Sequence, residues 1–203
     1  MESIILASAS SRRQELLTQI GVRFTVRSQY IDESIRIGEL ANDYVSRMAQ
    51  EKANSALSAL CVTKDSSDTL VLAADTSVVC DATVLGKPLD EADAVDMLRR
   101  LSGREHRVLS AVTLSTQDKQ RTVLSESRVR FREISIEEAQ QYYRSGEPLG
   151  KAGAYAIQGY AAVFVEQLVG SYSGVMGLPL FETAQLLAEF SVPMQFINPA
   201  LVK

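Results

Sequence analysis

Hydrophobic positions along this chain follow two periods. Short continuous apolar runs, "SIILAS" near the start and "TLVLAADTSVVC" at 69–80, predict strands. The second run has Asp75 as its only charged group, so it predicts a central strand covered on both faces. Between the two, "RFTVRSQY" predicts a further strand, and Leu40, Tyr44, Val45, Met48 and Ala56 fall on one arc of a helix over about 40–60. Lys52 lies near the middle of that arc, where a cation needs a route to solvent or a buried anion.

Further on, "DAT" predicts a turn into "VLGKP" and hence a hairpin, and "DEADAVDMLRRLSG" predicts a helix capped by Asp90 and closed by Ser102 and Gly103. Two strands, "HRVLSAVTLST" and "RTVLSESRVRFREI", come next; Arg128, Arg130 and Arg132 share one side of the second and read as a solvated face. "SIEEAQQYYRSG" is a helix with Ser135 and Glu138 as a capping box. The glycine-rich "GEPLGKAGAYAIQGYAA" reads as a polar connection outside the core, of the length that commonly carries function. A strand, "VFVEQLV", and a closing helix, "LPLFETAQLLAEF" with Pro179 near its first turn, complete the series, and the tail from Ser191 reads as loosely held. Strands alternating with helices, without an internal repeat or linker, predict a single α/β domain with a mixed sheet.

At 6–17, "LASASSRRQELL" places Ser8, Ser10 and Ser11 before Arg12 and Arg13 at a strand-to-helix junction. Ser11 and Gln14 suit a capping box, and Gly21 suits the residue after the helix end. The first turn of a helix exposes unpaired N–H groups at the positive end of the macrodipole, a place suited to phosphate.

Composition narrows the class. Among 203 residues, 46% are hydrophobic and 23% charged, as in an ordinary soluble globular protein, and the net charge of -4 argues against a general nucleic-acid or membrane-surface binder. No run approaches the ~18 to 20 apolar residues of a membrane helix and the start lacks signal-peptide features, so the expected location is the cytoplasm. Cys61 and Cys80 form no metal or disulfide pattern, and His106, the single histidine, has no nucleophile near it in sequence and reads as structural.

Ser8, Ser10, Arg12, Arg13, Glu33, Lys52, Asp75, Lys87, Lys151 and Gln158 mostly fall where strands end or loops begin. Five of these ten are cations and two are carboxylates, the mixture that phosphoryl chemistry on a metal-bound nucleotide needs. The GxxxxGK[ST] loop and the GxGxxG turn are both absent, which leaves a phosphoanhydride hydrolase of another design.

In order and spacing, "LASASSRRQELL", "EKA", "AADT", "GKP", "SGREHRVLSAV", "KAGAYAIQG" and "GSYSGVMGLPL" resemble the motifs of the Maf family of nucleotide pyrophosphatases. The resemblance spans essentially the whole chain. It implies one domain over 1–203 with a cleft between two lobes, a fold similar to that of the inosine triphosphate pyrophosphatases, and commonly a homodimer. It also implies hydrolysis of a nucleoside triphosphate to the monophosphate and pyrophosphate with a divalent cation, magnesium or manganese. By the same resemblance Asp75 is the proton acceptor, Lys52 and Lys87 offset phosphate charge, Ser8, Ser10 and Arg13 hold phosphates, and Glu33 joins Asp75 at the metal. Arg12, Thr76 and Gln158 resemble the set of members acting on dTTP and UTP. The amide of Gln158 can meet the N3–H donor and the carbonyl acceptor of thymine or uracil. Two alternatives stand beside this: a nucleotide-binding regulator of septum formation, and a pyrophosphatase acting on 7-methyl-GTP. Four positions depart from the family's usual residues: Ser11 for proline, Gly150 for aspartate, and Ala156 and Ala161 for glycine.

Overall fold

The structure, a computed structural model, describes residues 4–63 and 69–194, without the side chains of 61–63. The described chain runs β1 (Ile4–Leu6), α1 (Ser11–Gln19), β2 (Phe24–Val26), α2 (Ala41–Thr63), β3 (Leu70–Cys80), β4 (Thr83–Leu85) and α3 (Glu91–Leu101). It continues with β5 (Glu105–Ser115), β6 (Gln120–Phe131), α4 (Ile136–Arg144), β7 (Val165–Val169), α5 (Tyr172–Met176) and α6 (Leu180–Glu189). The seven strands form one mixed sheet of order β2-β1-β3-β5-β6-β7, with β4 paired to β3. This is the α/β class that the alternation of apolar patterns predicts.

The pairing of β3 creates the main feature of the molecule. One edge of β3 is taken by β5, antiparallel, from Val71 to Val79. The other edge is shared: parallel β1 pairs with Leu70–Leu72, and antiparallel β4 pairs with Val78–Cys80. Residues 73–77 between them have no strand partner on that side, so the sheet forks around the middle of β3.

Both faces of β3 are covered. Towards α2, Val71 and Ala73 pack with Ile5, Ala53, Ala56 and Leu60, and Val79 packs with Val45, Ala49, Leu109 and Ala111. On the opposite face Leu70, Leu72 and Ala74 meet residues of α1 and α6, while Val78 and Cys80 meet α3, α4 and the segment after α4. Alanines at 49, 53 and 56 let α2 lie close to the sheet. Asp75 interrupts the apolar row between Ala73 and Val79, and Lys52 answers it from α2.

Several local expectations are revised. The N-cap of α1 is Ser10, not Ser11, and its side chain makes no capping bond, so the Ser11–Gln14 capping box does not form. Ser135 and Glu138 do form one, and Asp90 caps α3 through the Asp93 N–H. Leu40 is largely exposed because α2 starts one residue later. The segment 151–161 is not outside the core: Ala154, Tyr155, Ala156, Ile157 and Ala161 are buried, because two 3-10 turns at Ala152–Ala154 and Tyr160–Phe164 wind its apolar residues inward. The second turn also takes Val163 and Phe164 out of β7. The short α5 lies within a stretch whose helical signal is hidden by glycines at 170, 174 and 177. In the tail, Val192 and Met194 are buried beside α6, while 195–203 lie outside the described residues. Cys80 is buried and free; the Cys61 side chain lies outside the described residues. No helix among the described residues is long and apolar enough to cross a membrane.

Candidate active site

A cleft of about 1300 Å³ opens at the fork. Ser8, Ser10, Arg12, Arg13, Glu33, Lys52, Asp75, Thr76, Lys87, Lys151 and Gln158 all line it, brought from the β1–α1 junction, the β2–α2 loop, α2, β3, the β4 hairpin and the segment after α4. The unpaired stretch of β3 forms part of its floor.

On the α2 side of β3, Lys52 Nζ lies 2.7 Å from Asp75 Oδ1 and 2.7 Å from Glu33 Oε1. The Lys52 and Asp75 side chains are only 11% and 13% exposed, so the buried anion that Lys52 requires is present. Lys87 approaches the other oxygen of Glu33 at 3.5 Å. Burial acts against the Glu33 charge, but the hydrogen bond and charge of Lys52, helped by Lys87, outweigh it and hold this carboxyl below its ordinary pKa.

The Glu33 loop is itself held by α2. Tyr44 donates its hydroxyl to the Glu33 carbonyl at 2.9 Å, and Arg47 bonds both Glu39 oxygens (2.5 and 2.7 Å) and the Ser34 carbonyl (3.0 Å). Burial first, then the charges of Asp75 and Glu33, push the Tyr44 hydroxyl up to about 12. In the sequence Tyr44 is marked only by its place on the apolar arc, with the spacing 44, 48, 52, and no local pattern marks Arg47.

On the opposite face of β3, Arg13 donates to the Gly177 carbonyl (2.9 Å), Ser8 Oγ (3.3 Å) and Thr76 Oγ1 (3.3 Å). Burial lowers the Arg13 pKa while Asp75 and Glu33 oppose the shift, and a guanidinium keeps its proton in any case. Thr76 Oγ1 also lies 2.9 Å from Ser110 Oγ, which donates to the Gly174 carbonyl. The Thr76 hydroxyl is thus engaged beneath Arg13. Ser110 and the Gly177 carbonyl were not anticipated as site groups, although "SGREHRVLSAV" and "GSYSGVMGLPL" contain them.

Anion-binding capacity is concentrated at the start of α1. Ser8 Oγ accepts from the Ser10 N–H and from Arg13, both at 3.3 Å, which leaves its own proton to donate. With the Ser10 side chain not capping, the Ser11, Arg12 and Arg13 N–H groups meet no protein acceptor among the described residues. Arg12 pairs with Glu15 at 2.6 Å; both side chains are about half exposed, so the pair is worth under ~1 kcal/mol and is readily exchanged for a ligand.

Gln158 lines the same cleft, and its amide has no hydrogen-bond partner among the described residues. The Lys151 ammonium makes a single long contact among the described residues, 3.5 Å to the Leu149 carbonyl. Three of the four departures noted in the sequence are accommodated: Gly150 has φ +70, which suits glycine, and Ala156 and Ala161 are buried without positive φ.

The Maf family profile, described as "Maf-like protein", matches residues 3–190. This chain belongs to the Maf family. Curated relatives extend the match: the dTTP/UTP pyrophosphatase of Hahella chejuensis is 50% identical over 93% of this chain and 92% of its own. The protein of the same name from Methylococcus capsulatus is 53% identical over 91% and 89%, and that from Neisseria meningitidis serogroup B is 43% identical over 98% and 100%. Six of the seven Maf motifs named from the sequence supply residues that line the cleft, and "SGREHRVLSAV" reaches it through Ser110 beneath Thr76.

Proposed function

We propose that this Maf protein hydrolyses dTTP and UTP to the monophosphate and pyrophosphate. The observation that carries the reading is Lys52 set between Asp75 and Glu33 on the floor of a cleft whose wall holds the unspent first turn of α1. The names of the relatives support the choice of nucleotide.

The chemistry follows from the groups present. The Ser8 hydroxyl, the α1 N–H groups, Arg12 and Arg13 receive phosphate oxygens by charge-assisted hydrogen bonds. Asp75 accepts a proton from a water that attacks the α-phosphorus; the bond from that phosphorus to its bridging oxygen breaks, and pyrophosphate leaves with the bonding pair. Lys52 and Lys87 offset the charge that collects on the departing group. Gln158 lies free to meet the base.

Glu33 and Asp75 supply the hard oxygen donors that suit magnesium or manganese, and no group of three or more possible ligands occurs among the described residues. That donor set fits a cation held by one or two carboxylates and the phosphates of the substrate, and such a cation would supply charge neutralisation. The family resemblance further supports a homodimer in the cytoplasm.

A panel of dTTP, UTP, CTP, GTP, ATP and 7-methyl-GTP with magnesium or manganese, reading monophosphate and pyrophosphate separately, tests the reading. Pyrophosphate released selectively from dTTP and UTP is expected, and Asp75→Asn should lower kcat by ~10²- to 10⁴-fold while retaining the fold. Orthophosphate as the first product, or an active Asp75→Asn, overturns the mechanism; preference for 7-methyl-GTP overturns the substrate.

A further inference from the structure

Gln158 can hydrogen-bond thymine, but its amide can also meet guanine, since both bases carry a ring N–H beside a carbonyl. What separates the two is reach. A purine places that edge farther from its phosphates by the width of an extra ring, so selection by Gln158 requires its backbone to stand at a fixed distance from the phosphate cradle.

The structure contains a device for this. Tyr142, on α4 and 6% exposed, donates its hydroxyl to Glu147 Oε1 at 2.8 Å and accepts the Ala156 N–H at 3.2 Å. Glu147 Oε1 also accepts the Ala161 N–H at 3.2 Å, and Oε2 accepts the Tyr160 N–H at 2.9 Å. The backbone is therefore pinned two residues before Gln158 and two and three residues after it. Gly159 completes the fit, because a Cβ there would land on the Glu147 carboxylate. Oε1 thus accepts twice and Oε2 once, so three hydrogen bonds commit the Glu147 carboxylate to the loop.

We propose that Tyr142 and Glu147 are positioning residues for base selection, acting through the backbone that carries Gln158. The inference rests on the reading of Gln158 as the residue that meets the base. Tyr142→Phe removes only the hydroxyl and keeps the ring at its edge contact with Phe164, 5.4 Å between centroids. Glu147→Gln keeps the shape and removes the charge.

The test compares kcat/KM for dTTP and dGTP, which share sugar and phosphates, in wild type, Tyr142→Phe, Glu147→Gln and Gln158→Ala, with thermal melting alongside. The expected result is a fall of ~5-fold or more in the dTTP to dGTP ratio for Tyr142→Phe and Glu147→Gln, mainly through KM for dTTP. Adding Tyr142→Phe to Gln158→Ala should then lower the ratio no further. If Gln158→Ala lowers the ratio and the other two only lower the melting temperature or slow both substrates equally, the pair is merely structural and the inference fails. A ratio unchanged in Gln158→Ala removes the base-reading role itself, and the inference with it.

Discussion

Replacing Lys52 by methionine tests the charge arrangement at the base of the cleft. Asp75 is 13% exposed and has Lys52, at 2.7 Å, as its one ion-pair partner among the described residues, whereas Glu33 is 45% exposed and retains Lys87 at 3.5 Å. The penalty therefore falls on Asp75. Breaking a buried pair by removing one partner costs roughly 3 to 5 kcal/mol; because Asp75 borders an open cleft, the lower end applies, about 3 kcal/mol. Urea unfolding at pH 7, followed by circular dichroism, should show the midpoint lowered by on the order of 1 M for a domain of this size. If the cost is that of an uncompensated carboxylate, adding Asp75→Asn to Lys52→Met should restore about 1 to 2 kcal/mol, although each single change removes a charge from the site. A Lys52→Met variant within ~0.5 kcal/mol of wild type, or a double variant no more stable than the single one, would refute the reasoning and show that water in the cleft already solvates Asp75.

Two further predictions concern the surroundings of the site. His106 is 2% exposed, bonds the Tyr155 hydroxyl at 2.9 Å through Nε2, and is pushed down to about 4 by burial. Between about pH 6.5 and 4 the unfolded chain binds more protons there, so this contribution is complete above pH 6.5 and declines as pH falls, by on the order of 3 kcal/mol; His106→Phe should flatten that slope in pH-dependent unfolding, and an unchanged slope would refute it. Gly177 has φ +124 and presents its carbonyl to Arg13, so Gly177→Ala should cost ~1 to 3 kcal/mol from backbone strain and raise KM for the triphosphate; a variant with wild-type melting and KM would show that the loop adapts.

Much of the fold was legible because its signals are local. The strand at 70–80 declared itself by a nearly continuous apolar run with one charge, and the helix caps at Asp90 and Ser135 by residues three positions from their partners. The segment 151–161 reads differently in the structure because glycine density looks the same in an exposed loop and in a tight buried turn; Gly153 has φ +66, and a Cβ there would sit 2.9 Å from the Val78 side chain. The Ser11–Gln14 capping box failed for a similar reason: the motif is local, but the chain turns one residue earlier, at Ser10.

The sequence by itself determined the α/β class, the residue types of a phosphate site and, through the order of seven motifs, the family. The tertiary structure alone decided how they combine. Strand alternation sends Asp75 and Thr76 to opposite faces, but only the gap that β1 and β4 leave on one edge of β3 at 73–77 opens both to one cleft, where Asp75 meets Lys52 from α2 and Thr76 meets Arg13 from α1. Pairing of strands distant in the chain depends on the backbone edges and on the shared core, which no short window of sequence contains. The Gln158 backbone likewise owes its place to Tyr142 and Glu147, whose hydrogen bonds to 156, 160 and 161 exist only after the segment has folded back on α4.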